Sequence, residues 1–253
     1  MQTLSDSWLL FRRYVAQAVA ARTAVLIGML QPAIYLILFG PLLQKAIGPA
    51  APSGGSSWQF FVPGLLIQLA LFSAGYAGFS LSPELRWGVL ERMRVTPVSR
   101  LALLLGRVLR DVLLLVVQSI ILVVVGVLLG LRLPVLGLLI ALGFIALLAV
   151  GLASLSYALV LRLRNEYAFA PVLNTAIVPL VLLSGILLPM TFAPKWLDII
   201  SRCTPFRYIV DAMRAAFTGR YSGTHFMIGL GVAVAFAVVG VFVGAESFRR
   251  RNA

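Results

Sequence analysis

Six apolar runs, each about as long as a bilayer is thick, constrain this chain more than any other feature. A membrane helix needs roughly 20 consecutive apolar residues, because the hydrocarbon core is about 30 Å across and a helix rises about 1.5 Å per residue. Runs near 24–43, 59–81, 111–131, 134–161, 168–190 and 226–246 meet that condition. In hydrocarbon the backbone must satisfy its own hydrogen bonds, so such runs are read as helices and the fold class is all-α. Composition agrees: 61% of the 253 residues are hydrophobic and only 11% are charged, against about 25% charged in a soluble domain. The expected architecture is a polytopic membrane protein with six transmembrane helices in a single domain over residues 1–253. The fourth run is long and is expected to tilt. The fifth holds Pro171, Pro179 and Pro189 and is expected to kink.

The polar remainder falls between these runs. In the N-terminal segment 1–23, Leu4, Trp8, Phe11, Val15 and Ala18 recur at helical spacing, with Arg12, Arg13 and Arg22 off that stripe. This is the pattern of an amphipathic helix lying in the membrane interface. The apolar run that follows is too long for a signal peptide. With the N-terminus inside, fourteen Lys and Arg residues fall on the inner side and seven on the outer side. The bias places both termini in the cytoplasm. It also accounts for the net charge of +13 without nucleic acid, since the basic residues do not form one stripe.

Five of the seven outer basic residues lie between the fifth and sixth runs. There Pro194-Lys195-Trp196-Leu197 opens one short helix. Thr204-Pro205 reads as an N-cap followed by proline at the first helical position. Phe206, Ile209, Val210, Met213 and Phe217 form the apolar stripe of the second helix. Arg207, Asp211 and Arg214 are spaced to pair along its polar face. Segment 191–217 is therefore expected to form outer re-entrant helices that dip into the leaflet or cap the bundle.

With these boundaries no run contains Asp, Glu, Lys, Arg or His in its interior. Ion-coupled transporters and proton relays usually place ionisable groups inside the membrane, so energy for uphill transport is expected to come from outside the spans. Cys203 and His225 are each the only residue of their type, which excludes an intrachain disulfide and leaves no metal cluster or catalytic base–nucleophile set. No catalytic residue and no metal ligand is assigned. No Gly-x-x-x-x-Gly-Lys-Ser/Thr loop occurs, so the chain carries no such nucleotide site.

The uncharged polar residues of the runs are Gln31, Gln68, Gln118, Ser154, Ser156, Asn174, Thr175 and Ser184. Their ordinary role is hydrogen bonding between helices. Gln68 and Asn174, with Thr175 and Ser184, are the candidates to line a pathway, and so light a polar lining suits an amphipathic or lipid-like substrate. Gly126-x-x-x-Gly130 and Gly240-x-x-x-Gly244 permit close helix contact, most simply as internal packing.

One stretch, 82–111, is rich in charge: six arginines (Arg86, Arg92, Arg94, Arg100, Arg107, Arg110) and three acids. Ser82-Pro83-Glu84 is a helix start, with a cap, a proline at the first position and an acid in the first turn. Thr96-Pro97 stops that helix and begins another, which slides along the interface into the third run. A short helix over 83–94, held between two membrane helices, can transmit a push. The plainer reading is a positive-inside loop with no partner.

Glu84-Leu85-Arg86-Trp87-Gly88, followed by LERMRVTPVSRLALLLGRVL over 90–109, resembles the signature of the ABC-2 family of transporter permeases, with Gly88, Glu91, Thr96, Pro97 and Gly106 at matching spacing. Residues 182–214 resemble the family's segment between its fifth and sixth spans. The resemblance implies the transmembrane subunit of an ATP-driven exporter of drugs, lipids or polysaccharides in a bacterial plasma membrane. It implies a separate ABC ATPase subunit, which would hold the ATP and magnesium, and a second permease, identical or related. Helix 83–94 would be the coupling helix, with Glu84, Arg86, Glu91, Arg92 and Arg94 as candidate ATPase contacts; anionic membrane lipid headgroups are the alternative partners for those arginines. The rival readings are an ion-coupled secondary transporter or channel that needs no ATPase, and a membrane-bound enzyme, for which no clustered polar site is found.

Overall fold

A computed structural model describes Phe11, residues 14–15, 22–47, 56–83, 100–163, 166–186, Met190 and residues 193–250. Its described residues form helices joined by turns and short irregular connections, with no strand among them. We label the helices α1 (Arg22–Ile47), α2 (Ser57–Gly75), α3 (Arg100–Leu128), α4 (Val135–Arg162), α5 (Phe169–Leu183), α6 (Lys195–Arg202), α7 (Pro205–Phe217) and α8 (Thr224–Arg250). A 3-10 turn, Ala77–Leu81, extends α2, and another, Glu166–Ala168, precedes α5.

Among the described residues, four segments are long and apolar enough to cross a membrane: Ser57–Leu81, Leu103–Leu128, Val135–Arg162 and Thr224–Arg249. Two further helices hold shorter apolar stretches, Leu30–Leu42 within α1 and Phe169–Leu183. Helix α2 is the centre of the bundle. From Phe60 to Leu71 every side chain is buried, and the helix packs against α1, α3, α4, α5 and α7. Helix α4 packs against α2, α3, α7 and α8. Outward, Leu128, Val135, Leu139, Val238 and Phe242 are exposed. So much contiguous apolar surface is untenable in water and natural against acyl chains.

Two expectations need correction and one is sharpened. The helix expected to begin at Thr96-Pro97 and slide into the third run is continuous with it: α3 runs unbroken from Arg100. It can do so because Arg107 and Asp111 find partners inside the protein and need not reach water. The fifth helix ends at Leu183, short of residue 190. Gly185 follows at φ +71°, a left-handed position that glycine takes without steric cost and that ends helices. In the Gly126–Gly130 pair, Gly130 is not a packing residue. At φ +107° it closes α3, with Leu131 N–H donating to Gly126 O (2.9 Å) and Gly130 N–H to Val127 O (3.0 Å).

The other glycine pair packs as expected. A Cβ on Gly240 of α8 would lie 2.6 Å from Gly151 O of α4, so the two backbones touch there. At the opposite end of α2, Ser56 and Gln59 form a reciprocal capping box. The Gln59 side chain then donates to Arg132 O (2.6 Å), tying α2 to the α3–α4 connection.

Candidate functional site

The segment 84–99, which carries the charged signature, lies outside the described residues, but both of its flanks are held. On the incoming side, the hydroxyl of Ser156 on α4 donates to Gly75 O and accepts from Gly78 N–H (2.8 Å). No side chain fits at Gly78, where a Cβ would meet Ser156 O at 2.5 Å. On the outgoing side, the hydroxyl of Tyr157, the next residue of α4, donates to Asp111 Oδ2 of α3 (2.5 Å). Adjacent residues of one helix thus anchor the elements on either side of 84–99.

Asp111 is the hub. Its Oδ1 accepts from Arg110 Nε (2.9 Å) and Nη2 (2.5 Å), and Arg110 Nη2 also reaches Ser80 Oγ (3.3 Å). Arg107, 1% exposed, places its guanidinium 4.8 Å from the ring centre of the buried Tyr14. A buried carboxylate is tolerable only when paired and hydrogen-bonded, and both oxygens of Asp111 are. Arg107, Arg110 and Asp111 therefore do not belong to a surface open to a soluble partner. Arg107 and Arg110 precede the expected third run, 111–131, and Asp111 is its first residue; all three belong to the continuous helical segment Leu103–Leu128. Sequence reasoning missed this cluster. Its signals were the four-residue spacing of Arg107 and Asp111, which puts both on one helical face, and a Ser-Tyr pair in an otherwise apolar run.

Beside the cluster is a cavity of about 450 Å³ between α1, α2 and α3. Its polar lining is Gln31, Ser73, Tyr76, Ser80, Arg110, Asp111 and Gln118. Ser73 donates to Gln118 Oε1 (3.1 Å).

The other polar concentration is the cap formed by α6 and α7. The stripe Phe206, Ile209, Val210, Met213 and Phe217 is buried, as its spacing predicts. Helix α7 rests on α2, α4 and α8. Thr204 is the N-cap of α7, but its hydroxyl donates back to Ser201 O (2.7 Å) and caps no α7 amide. Arg207 pairs with Asp198 (2.5 Å) instead of Asp211, and Arg202 also binds Asp198 (2.7 Å). The hydrogen bond from Arg207 holds the Asp198 carboxyl below its ordinary value. Arg214 is 3.8 Å from Asp211, as its spacing allows, yet its main partners are carbonyls. Its Nε donates to Phe60 O (3.2 Å) and its Nη2 to Gly185 O (2.8 Å), and the guanidinium sits 3.6 Å from the Phe60 ring centre. Burial pulls Arg214 down to about 10, and Asp211 opposes that shift. The guanidinium stays charged at neutral pH.

The candidate pathway residues are not brought together. Gln68 is 3% exposed in the middle of α2, and its Oε1 has no hydrogen-bond partner. Asn174 and Thr175 sit on the exposed side of α5, with the Thr175 hydroxyl donating to Pro171 O (2.8 Å). Ser184 is buried at the end of α5 and donates to Val181 O (2.9 Å). None of the four lines the cavity. Glu84, Arg86, Glu91, Arg92 and Arg94 fall in the segment outside the described residues, as does most of the N-terminal helix; Phe11, Tyr14 and Val15 of it are helical. Among the described residues no three His, Cys, Asp or Glu side chains are grouped to hold a metal.

Residues 6–218 match the ABC-2 type transporter family, a match that includes 84–99 and the cap. The proposed transport permease ycf38 of Cyanophora paradoxa is 28% identical over 257 residues, covering 98% of this chain and 89% of that protein. The daunorubicin resistance ABC transporter permease protein DrrB1 of Streptomyces coeruleorubidus is 30% identical over 232 residues, 89% of this chain and 79% of its own length. The corresponding ycf38 protein of Porphyra purpurea is 25% identical over 213 residues, 83% of this chain and 72% of that one.

Proposed function

The chain belongs to the ABC-2 type transporter family, and from that premise we propose that it is the transmembrane permease of an ATP-driven exporter in a bacterial plasma membrane. As a membrane subunit of that family it is not itself catalytic. ATP and magnesium would be held by a separate ABC ATPase, two of which would serve two permeases, identical or related. Six spans would place both termini in the cytoplasm, with α1 and α5 as the two whose apolar stretches are shorter, and α6 and α7 re-entering the outer leaflet. Helix 83–94 would dock on the ATPase through Glu84, Arg86, Glu91, Arg92 and Arg94. Gln68, Asn174, Thr175 and Ser184 would face the path between copies or support its walls. An amphipathic drug or a lipid-linked molecule suits so lightly polar a lining, and the likeness to a daunorubicin resistance permease supports that class.

The observation that carries this reading is the pair of anchors on α4. Ser156 holds the element entering segment 84–99 and Tyr157 holds the helix leaving it. A displacement of the segment would therefore be passed to α4 through two fixed points, and α4 touches most of the bundle. Charge reversal at Glu91 and Arg92 tests the docking surface. Co-purification of the ATPase and its stimulation by the permease should both be lost; their survival would sink the assignment.

A second reading has one observation in its favour. Asp111 is a carboxylate within a candidate span beside a polar cavity, the setting of a proton-coupled carrier. Against it, both carboxylate oxygens are engaged by Arg110 and Tyr157. Transport by vesicles holding the permease alone, driven by a proton gradient, would favour this reading; a strict need for ATP and ATPase would remove it.

A further inference from the structure

We propose that the cavity of the cap, between α6, the first turn of α7 and the connection from α5, holds the phosphate of an anionic membrane lipid. The inference rests on the cap meeting the outer leaflet, as proposed above, and on no ATPase. The cavity has a volume of about 530 Å³, within the roughly 300–1,000 Å³ usual for ligand pockets. Lys195, Asp198, Arg202 and Arg207 form its polar wall, and Met190 and Ile199 belong to its apolar wall. Lys195, Asp198 and Arg202 recur at spacings of three and four on one face of α6, while Trp196, Ile199 and Ile200 share the next face. That second face is bare: Trp196 and Ile199 are each 63% exposed and Ile200 46%. A short helix with a basic face beside an uncovered apolar face lies at a membrane surface, with its cations at headgroup level.

The charge that selects the ligand lies on the cavity wall itself. Three cations line it with one carboxylate, leaving two positive charges. Asp198 is shared by Arg202 (2.7 Å) and Arg207 (2.5 Å). Arg202 Nη1 and Arg207 Nη2 make no hydrogen bond among the described residues. Lys195 is exposed and has neither a hydrogen bond nor an ion pair there. The lining holds no second acid. Between residues 167 and 245 the sequence holds only Asp198 and Asp211, and Asp211 is 3.8 Å from the buried Arg214. Asp198 thus holds two guanidinium groups in place, and their open edges with the Lys195 ammonium suit the oxygens of a phosphate. The apolar wall at Met190 and Ile199 leaves the acyl chains a way into the bilayer.

The test uses the purified full-length chain in mild detergent, with native mass spectrometry reading retained lipid. Phosphatidylglycerol should be retained and phosphatidylcholine should not. Inorganic phosphate should fail to displace the lipid; displacement would give the site to a soluble phosphate and overturn the lipid assignment. Lys195→Gln should lower phosphatidylglycerol retention about fivefold, the contribution of one basic residue at an anionic surface. Lys195 pairs with nothing, so the change leaves the Arg202–Asp198–Arg207 network in place. Arg132→Gln provides the second arm. It removes the same charge at the same end of the bundle, from an exposed side chain that does not line the cavity, and should leave retention unchanged. Equal retention of both lipids, unchanged retention in Lys195→Gln, or equal losses in the two variants would overturn the proposal. Co-purification of the ATPase tests the exporter reading separately and takes no part in this assignment.

Discussion

The inner cluster around Asp111 and the outer cap around Asp198 use the same chemistry, one carboxylate shared among several donors, in opposite surroundings. Asp111 is buried and joins three helical elements: α3, α4 and, through Arg110, the turn carrying Ser80. Asp198 lies at the surface and joins neighbours within the cap, Arg202 and Arg207. A buried pair is costly to form, and removing one member strands the others in low dielectric. A surface pair is screened and contributes little. The inner network therefore fixes how helices sit against one another, while the outer one tidies a local turn. Arg214 stands between these cases. It is a buried cation held mainly by carbonyl dipoles and a ring, and it fastens the cap to the start of α2 and the end of α5.

Substitutions should rank accordingly. Asp111→Leu strands Arg110 and the Tyr157 hydroxyl, and should cost about 3–5 kcal/mol in the unfolding of detergent-solubilised protein. A loss no greater than that of Asp198→Asn would erase the contrast. Arg214→Met leaves buried carbonyls without donors and should cost about 2–3 kcal/mol by the same measurement. Arg214→Lys should recover only part of this, since an ammonium lacks the planar fork that spans Phe60 O and Gly185 O. Gly240→Val drives a side chain into the Gly151 backbone of α4 and should cost about 1–3 kcal/mol.

Asp198→Asn should have the smallest effect, and its pH dependence has a definite sign. Arg207 holds the Asp198 carboxyl below its ordinary value. Its contribution is therefore complete above the ordinary aspartate range near pH 4 and is lost as pH falls below that through the lowered value. Tryptophan fluorescence of the cap, followed through Trp196, should change in that acid window in the native chain and stay flat in Asp198→Asn. High salt should reproduce part of the change.

The sequence was most legible where a periodic pattern met a single environment. Apolar runs located α2, α4 and α8 within a few residues, and the stripe from Phe206 to Phe217 identified α7 and its buried face. It was least legible where polar groups satisfy one another across helices. Arg107 and Asp111 read as interfacial because nothing local says that Tyr14 and Tyr157 will meet them. For the same reason Arg207 was matched to Asp211, its neighbour in sequence, when its partner Asp198 lies on the preceding helix. Gly130 looked like half of a packing motif because composition does not distinguish a glycine needed for a left-handed turn from one needed for close approach. Of the candidate site, the ATPase-contact residues lie in the segment outside the described residues. The pathway residues are dispersed over α2 and α5, since polarity within a run says which residues need partners but not which share a wall.

The most direct test of force transmission through α4 is Tyr157→Phe in a permease–ATPase complex reconstituted in lipid, with ATP turnover measured alongside co-purification. The change removes one hydroxyl and keeps the ring that fills the core. Anchoring through Asp111 predicts that the ATPase remains bound while its stimulation by the permease falls sharply. Full stimulation with binding intact would contradict it.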